Sequence, residues 1–173
     1  MAAFGRAAGG KRERRKELGQ ICMMHPEVYV AQTTAAHINH FYKAVMEANE
    51  YPGPAVINVY TTCQPEHGVP DCNSSRQAKL AVESRTFPLF IFDPRKGEKI
   101  RDRLSLVGNP ARKSDWWTAP NAAKPLTFVD FARTEGRFAK QFDANGQPAE
   151  MLLRAEADRL RNWRMLQEMA GLR

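Results

Sequence analysis

The segments Val28-Tyr-Val-Ala-Gln32 and Ala55-Val-Ile-Asn-Val-Tyr60, with the stretch between them, decide the fold of this chain. Both segments contain a short apolar run, which is typical of strands that are covered on both faces. The stretch between them has apolar residues at helical spacing, namely Ile38, Phe41, Tyr42, Val45 and Met46. A helix between two such strands predicts a βαβ unit with parallel strands.

The rest of the chain supplies further elements of an α/β fold. The apolar run from Phe87 to Phe92 predicts a third strand of the same parallel sheet. Thr33 or Thr34 offers an N-cap for the first helix of the unit, and Ser74 with Gln77 has the spacing of a capping box. Helices are expected over residues 11–24, 34–49, 74–85 and 148–170. We therefore predict a parallel sheet flanked by helices, with a C-terminal helical extension.

The composition argues against a membrane or secreted protein. The chain has 173 residues, and no apolar run approaches the roughly 18 residues that span a bilayer. The first twenty residues lack the apolar region of a secretory signal. We therefore expect a cytoplasmic protein whose three cysteines stay reduced, and the odd number of cysteines argues against a disulfide framework.

Two basic segments give the chain much of its formal net charge of +7. Residues 1–20 carry six basic and two acidic side chains, and residues 95–113 carry seven basic and two acidic side chains. Solvated surface explains both segments, since no interleaved aromatic residues accompany them. The alternative is an interaction surface for an acidic protein or a nucleic acid.

Histidines and cysteines are the candidates for generic site chemistry. Cys63, His67 and Cys72 share one segment after the second strand, and thiolate and imidazole are ligands that zinc prefers. Cys63 could also be a catalytic nucleophile with His67 as its general base, but no residue that would orient the histidine is recognisable. His37 and His40 lie one turn apart and fit helix packing better than ligation. The sequence contains neither GxxxxGK[ST] nor GxGxxG.

Several motifs of the chain occur together, and in this order, in one protein family. They are Gly10-Lys11, Val28-Tyr-Val-Ala-Gln32, Ala48-Asn-Glu-Tyr-Pro-Gly-Pro54, Ala55-Val-Ile-Asn-Val-Tyr-Thr-Thr-Cys63, His67-Gly68, Gln77 to Arg85, Phe87-Pro88-Leu89 and Asp93-Pro94. With them the chain resembles the C-terminal part of the thiamine-diphosphate-binding domain of pyruvate:ferredoxin (flavodoxin) oxidoreductases, the 2-oxoacid oxidoreductase family. The resemblance covers residues 1–110. Residues 111–173 are expected to form an irregular arm and a C-terminal helix.

The resemblance implies a function for the larger enzyme. That family oxidatively decarboxylates a 2-oxoacid, here pyruvate, with coenzyme A, and uses thiamine diphosphate, magnesium and 4Fe-4S clusters to pass electrons to ferredoxin or flavodoxin. Cys63 matches the cysteine that gives one thiolate to the cluster nearest the thiamine. It is therefore the one cofactor-binding and metal-ligating residue that the resemblance implies, and no catalytic residue is expected within the chain.

Two motifs of the family are absent from the sequence. The chain has no Gly-Asp-Gly, which begins the segment that holds magnesium and the diphosphate, and it lacks the other three cluster cysteines. We therefore expect the distal part of a larger oxidoreductase, which is inactive alone and binds none of these cofactors alone. The rest of the enzyme is its expected partner, while membranes and nucleic acid are not. The alternative is a non-enzymatic α/β binding module that docks an acidic protein or nucleic acid through the basic segments.

Overall fold

A computed structural model describes residues 13–173. The strands are β1 (Tyr29–Thr34), β2 (Ala55–Tyr60), β3 (Phe90–Phe92) and β4 (Leu104–Ser105). The helices are α1 (Leu18–Met23), α2 (Ile38–Asn49), α3 (Gln64–His67), α4 (Ser74–Glu83), α5 (Ile100–Arg103), α6 (Phe128–Arg133) and α7 (Glu150–Met169). The four strands form one mixed sheet in the order β2-β1-β3-β4, which confirms an α/β fold.

The βαβ unit predicted from the sequence is confirmed. β1 and β2 are parallel and paired from Tyr29 beside Ala55 to Thr34 beside Tyr60, and α2 connects them. β1 is buried along its whole length, both in the predicted apolar run and at the polar residues Gln32, Thr33 and Thr34 that follow it. β2 is only partly buried, because it lies at the edge of the sheet formed by the described residues. The prediction that β2 is covered on both faces is therefore wrong for this part of the chain.

The third strand is correctly located, but its predicted direction is wrong. β3 runs antiparallel to β1, with Phe90 beside Gln32 near the carboxyl end of β1. β2 also ends at that edge, so the chain between β2 and β3 returns to the edge that it left. Arg85 supports this return, because it has a left-handed φ of 59° directly after α4. A parallel strand would have required the chain to cross to the opposite edge.

Two apolar layers cover the sheet. On one face, Tyr29, Ala31 and Ile91 pack with Ala44 of α2. The opposite face packs against α1 and α7 through residues that form one cluster, namely Met23, Val30, Phe90, Phe92, Leu104, Leu106, Trp163 and Leu166. The C-terminal helix thus shares a core with the strands. The predicted domain division at residue 110 stays a prediction.

The helix starts differ from the predicted caps. His37 takes the N-cap position of α2, and Thr33 instead pairs its hydroxyl with His40 Nδ1 at 2.9 Å. The Thr34 hydroxyl accepts a hydrogen bond from the backbone N–H of Ala36, before the helix begins. Neither threonine therefore caps α2, because the chain makes a further turn between β1 and the helix.

The predicted capping box of α4 is also wrong. The Ser74 hydroxyl donates to the carbonyl of Asp71, and the Gln77 side chain bonds to residues far along the chain. A capping box forms instead at α6, where Thr127 and Asp130 bond reciprocally. The first predicted helix begins at Leu18, while its residues 11 and 12 lie outside the described residues. None of the helices over residues 13–173 has the length and apolar character needed to cross a membrane.

Candidate functional site

The segment after β2 carries Cys63 at the carboxyl edge of β1 and β2. In open α/β sheets this is the edge at which ligands bind. Cys63 is a free, exposed thiol directly before the single helical turn α3. Its carbonyl accepts a hydrogen bond of 2.8 Å from the backbone N–H of His67, and Gly68 ends the turn with a φ of 62°. The helical turn therefore fixes the backbone on which the thiol sits.

A close contact between two glycines holds this turn against the C-terminal segment. The backbone N–H of Gly136 donates to the carbonyl of Gly68 at 3.3 Å. A Cβ atom on Gly68 would lie 2.9 Å from the Cα atom of Gly136, closer than real Cβ contacts. Gly68 therefore needs to be glycine both for this contact and for its left-handed backbone.

Glu135, beside this contact, is a buried carboxylate bound by three side chains. Its Oε1 accepts hydrogen bonds from the Tyr60 hydroxyl and from Gln77 Nε2, each at 3.1 Å. Its Oε2 pairs with the guanidinium of Arg137. The Glu135 side chain is fully shielded from solvent, which makes the ion pair and the hydrogen bonds necessary to offset its desolvation. This network joins the end of β2, helix α4 and the segment after α6.

His67 completes the surroundings of Glu135. Its Nδ1 lies 3.7 Å from Glu135 Oε1 but makes no hydrogen bond with it. Burial lowers the pKa of His67, and the charge of Arg137 lowers it further, while Glu135 opposes them. Burial, and then Glu135, raises the pKa of the Tyr60 hydroxyl, which remains a hydrogen-bond donor at neutral pH. The lowered pKa leaves the imidazole of His67 neutral at neutral pH, and its Nδ1 faces the buried carboxylate of Glu135.

The other candidate side chains, His40, Cys22 and Cys72, lie apart from this network. Burial and the charge of His37 lower the pKa of His40 to about 4, and His40 bonds to Thr33. Cys22 is half-buried against the core beneath α1, as a small apolar residue would be. Cys72 is a free, exposed thiol in a short 3-10 turn before α4. Within residues 13–173, no group of three or more His, Cys, Asp or Glu side chains is placed to hold a metal ion.

Part of the second basic segment is used within the fold. Arg95 pairs with the buried carboxylate of Asp93 at 2.9 Å and lies over the ring of Tyr51. Arg103 donates to the carbonyls of Gly97 and Pro26. These contacts favour solvated and structural roles for these two arginines over a free docking surface. Most of the first basic segment lies outside the described residues.

Comparison with known proteins finds relatives that match nearly the whole of this chain. No family model matches the chain. It is 36% identical over 169 residues to the pyruvate-flavodoxin oxidoreductase of Rhodospirillum rubrum, a match that covers 96% of this chain and 13% of that protein. The pyruvate:ferredoxin oxidoreductase of Moorella thermoacetica is 34% identical over 170 residues, with 94% of this chain and 13% of that protein covered.

The chain is homologous to one segment of the pyruvate:ferredoxin (flavodoxin) oxidoreductases. A third relative, named a probable pyruvate-flavodoxin oxidoreductase of Escherichia coli K12, is 35% identical over 94% of the chain. The chain spans 13% of the length of each of these relatives, so it matches one segment of each of these much longer proteins. The matches also take in most of residues 111–173, beyond the last of the quoted motifs.

The described residues fit only part of the cofactor set that the resemblance implies. Cys63 is accessible and can give one thiolate to an iron–sulfur cluster whose other ligands lie elsewhere. The sequence lacks the Gly-Asp-Gly that begins the magnesium and diphosphate segment in the family that the chain resembles. We therefore assign no residue of this segment to the thiamine cofactor.

Sequence reasoning missed the support of this site. Glu135 and Arg137 carry no motif, and Gln77 has a capping spacing that the fold does not use. The network joins residues that are 58 and 75 positions apart in sequence. The one local signal is that Glu135 stands directly before Gly136 in a segment rich in phenylalanine. Burial of the neighbouring phenylalanines also buries Glu135.

Proposed function

We propose that this chain is the segment of a 2-oxoacid oxidoreductase that supplies Cys63 as one thiolate ligand of a 4Fe-4S cluster. The whole enzyme would oxidatively decarboxylate a 2-oxoacid with coenzyme A and pass electrons to ferredoxin or flavodoxin. The names of the relatives support pyruvate as the acid and these two proteins as acceptors. The observation that carries the proposal is the exposed thiol of Cys63 beside a hydrogen-bonded helical turn at the carboxyl edge of β1 and β2.

The surroundings of Cys63 suit a positioning role. A bound cluster would supply one-electron transfer, and its potential depends on fixed ligands and on nearby hydrogen bonds. The turn is held by its own backbone bond to His67 and by the contact between Gly68 and Gly136. Behind it, the buried Glu135 carboxylate accepts hydrogen bonds from Tyr60, at the end of β2, and from Gln77 of α4. Cys63 therefore presents its sulfur from a backbone that needs little rearrangement to ligate.

The same proposal includes inactivity of the isolated chain. Four thiolates hold such a cluster, and Cys63 supplies one of them. The sequence also lacks the Gly-Asp-Gly that begins the segment for magnesium and the diphosphate in the family that the chain resembles. The 4Fe-4S cluster, thiamine diphosphate and magnesium would belong to the complete enzyme. A cytoplasmic location, expected from the sequence, is part of this proposal and is tested by cell fractionation.

A hybrid enzyme tests the assignment of Cys63. In it, the matching 169-residue segment of the Rhodospirillum rubrum protein is replaced by this chain. We expect Cys63→Ala to lower the iron content and to abolish electron transfer to flavodoxin. Cys72→Ala is the matched control, because Cys72 is also a free, exposed thiol of the same segment. The assignment is wrong if Cys63→Ala leaves iron and activity intact, or if Cys72→Ala alone removes them.

A further inference from the structure

A cleft of about 730 Å³ lies between helix α6, the first half of helix α7 and residues 13–15. Sites for small molecules have volumes of about 300 to 1,000 Å³, so the cleft is large enough for one. Cys63 does not border it. The cleft is therefore a feature apart from the proposed cluster ligand.

Arginine is the commonest residue type around this cleft. Among the described residues, the arginines that line it are Arg14, Arg15, Arg137, Arg154 and Arg159, and the carboxylates are Glu13, Glu150 and Asp158. Two of these carboxylates are already paired with arginines of α7, since Glu150 binds Arg154 and Asp158 binds Arg161. A cleft in which guanidinium groups outnumber carboxylates attracts anions.

Arg159 is the buried member of this group, with a side chain that is only 5% exposed. Its Nη1 donates to Glu17 Oε1 at 2.6 Å, and Arg15 binds the other oxygen of the same carboxylate at 2.8 Å. One carboxylate thus serves two guanidinium groups. Burial lowers the pKa of Arg159, and the charge of Arg15 lowers it further, while Glu17 opposes them. An anion in the cleft would therefore stabilise the buried charge of Arg159.

The cleft also has an aromatic wall. Phe128 and Phe131 of α6 line it together with the half-buried Phe138. The rings of Phe128 and Phe138 are 6.1 Å apart and nearly perpendicular, and the guanidinium of Arg137 lies 4.8 Å from the centre of the Phe138 ring. Met151, in the first turn of α7, adds a partly exposed apolar side chain. Apolar walls with a few convergent charged groups are typical of sites for small organic ligands.

We propose that this cleft binds a small organic phosphate. Arg159, Arg15 and Arg14 would hold the phosphate group, and the organic part would lie against Phe138 and Met151. Guanidinium groups bind phosphate oxygens through paired, charge-assisted hydrogen bonds, and these are stronger in a partly buried site than in water. The ligand class is a nucleoside diphosphate or a compound of similar size and charge. Magnesium-bound thiamine diphosphate does not fit this class, because the metal neutralises its phosphates and its thiazolium ring is a cation.

Isothermal titration calorimetry of the 173-residue chain with adenosine diphosphate, without magnesium, tests the proposal. Met151→Glu is the test variant, because it adds a carboxylate to the cleft at a position where the helix dipole favours glutamate. Leu153→Glu is its matched control: Leu153 lies in the same helical turn and is 50% exposed, but it does not line the cleft. Both variants change the net charge equally. Arg159→Met is a second test variant, and circular dichroism checks the fold of each protein.

We expect the wild-type chain and Leu153→Glu to bind one adenosine diphosphate each, with affinities within about threefold of each other, because surface charge is screened by salt. Met151→Glu and Arg159→Met should each weaken binding by about tenfold or more. Adenosine, which lacks phosphate, should bind the wild-type chain at least about tenfold more weakly than adenosine diphosphate. If Arg159→Met does not fold, Met151→Glu decides the test.

Three results would each overturn the proposal. One is the absence of saturable binding of adenosine diphosphate by the wild-type chain. Another is equal binding by Met151→Glu and Leu153→Glu, which would show that the nucleotide responds only to the overall charge. The third is binding of adenosine as tight as that of adenosine diphosphate, since the arginines would then have no part in recognition. None of these results bears on cluster ligation by Cys63.

Discussion

Glu135→Ala should destabilise the chain strongly, because it removes the buried carboxylate at the centre of the support behind Cys63. The substitution leaves the partly shielded guanidinium of Arg137 without its partner and the donors of Tyr60 and Gln77 without an acceptor. Breaking a buried ion pair by removing one partner typically costs about 3 to 5 kcal/mol. At about 2 to 4 °C per kcal/mol for a chain of this size, the melting temperature should fall by roughly 6 to 20 °C.

Glu150→Ala is the matched control for Glu135→Ala. Glu150 also pairs with an arginine, Arg154 at 2.6 Å, but both side chains are exposed. Its loss should cost less than about 0.5 kcal/mol. Urea unfolding followed by circular dichroism measures both variants, and hydrogen exchange of the His67 amide reports the turn itself. Equal destabilisation by the two substitutions would refute the conclusion that the buried network supports the turn.

Three further predictions concern the isolated chain. Arg85→Met should lower the free energy of unfolding, measured in urea, by about 3 kcal/mol. The buried guanidinium of Arg85 donates hydrogen bonds to the carbonyls of Pro110, Ala111 and Asp115 and stacks on Trp163. Arg101→Met, at the surface, is the control and should have little effect. The free energy of unfolding should fall by up to about 1.4 kcal/mol per pH unit as the pH drops from 6.5 towards 4. Burial and the charge of His37 lower the pKa of His40 in the folded chain to about 4. Between these pH values protons therefore bind the unfolded chain more readily than the folded one. His40→Gln should flatten this slope when unfolding is compared at pH 7 and pH 5, and an unchanged slope would exclude His40 as its source. Calorimetry should detect no binding of thiamine diphosphate in the presence of magnesium, and magnesium-dependent micromolar binding would contradict the proposed division of cofactor sites.

The strands of the βαβ unit were predictable because their signals are local. A short apolar run and a helical repeat are visible within residues 28–60, and the parallel pairing follows from the connecting helix. The direction of β3 depends on where the chain between Tyr60 and Phe90 travels. That path is fixed by the backbone of Arg85 and by its bonds to carbonyls at least 25 residues away. No local pattern reports such contacts.

The candidate site likewise has one part that local sequence signals predict and another that depends on tertiary contacts. Cys63 was found because it follows a recognisable strand within a family motif. Its predicted position at the carboxyl edge agrees with the structure, while its ligand role stays a prediction. The support behind it was missed because Glu135 is one of many acidic residues in the sequence, and its burial depends on the packing of α4 and α6. Capping residues were mistaken for a related reason, since Thr33 and Gln77 use their side chains in tertiary contacts instead.

The central claim is that Cys63 ligates a cluster, and electron paramagnetic resonance of the reduced hybrid enzyme carrying Cys63→Ser tests it most directly. Serine replaces the ligating sulfur with oxygen at nearly the same position, so a retained cluster would have a different electronic structure. The account predicts a changed spectrum and reduction potential for one cluster in Cys63→Ser and an unchanged spectrum in Cys72→Ser. A Cys63→Ser enzyme with full iron content and a spectrum identical to that of the parent hybrid would contradict the claim.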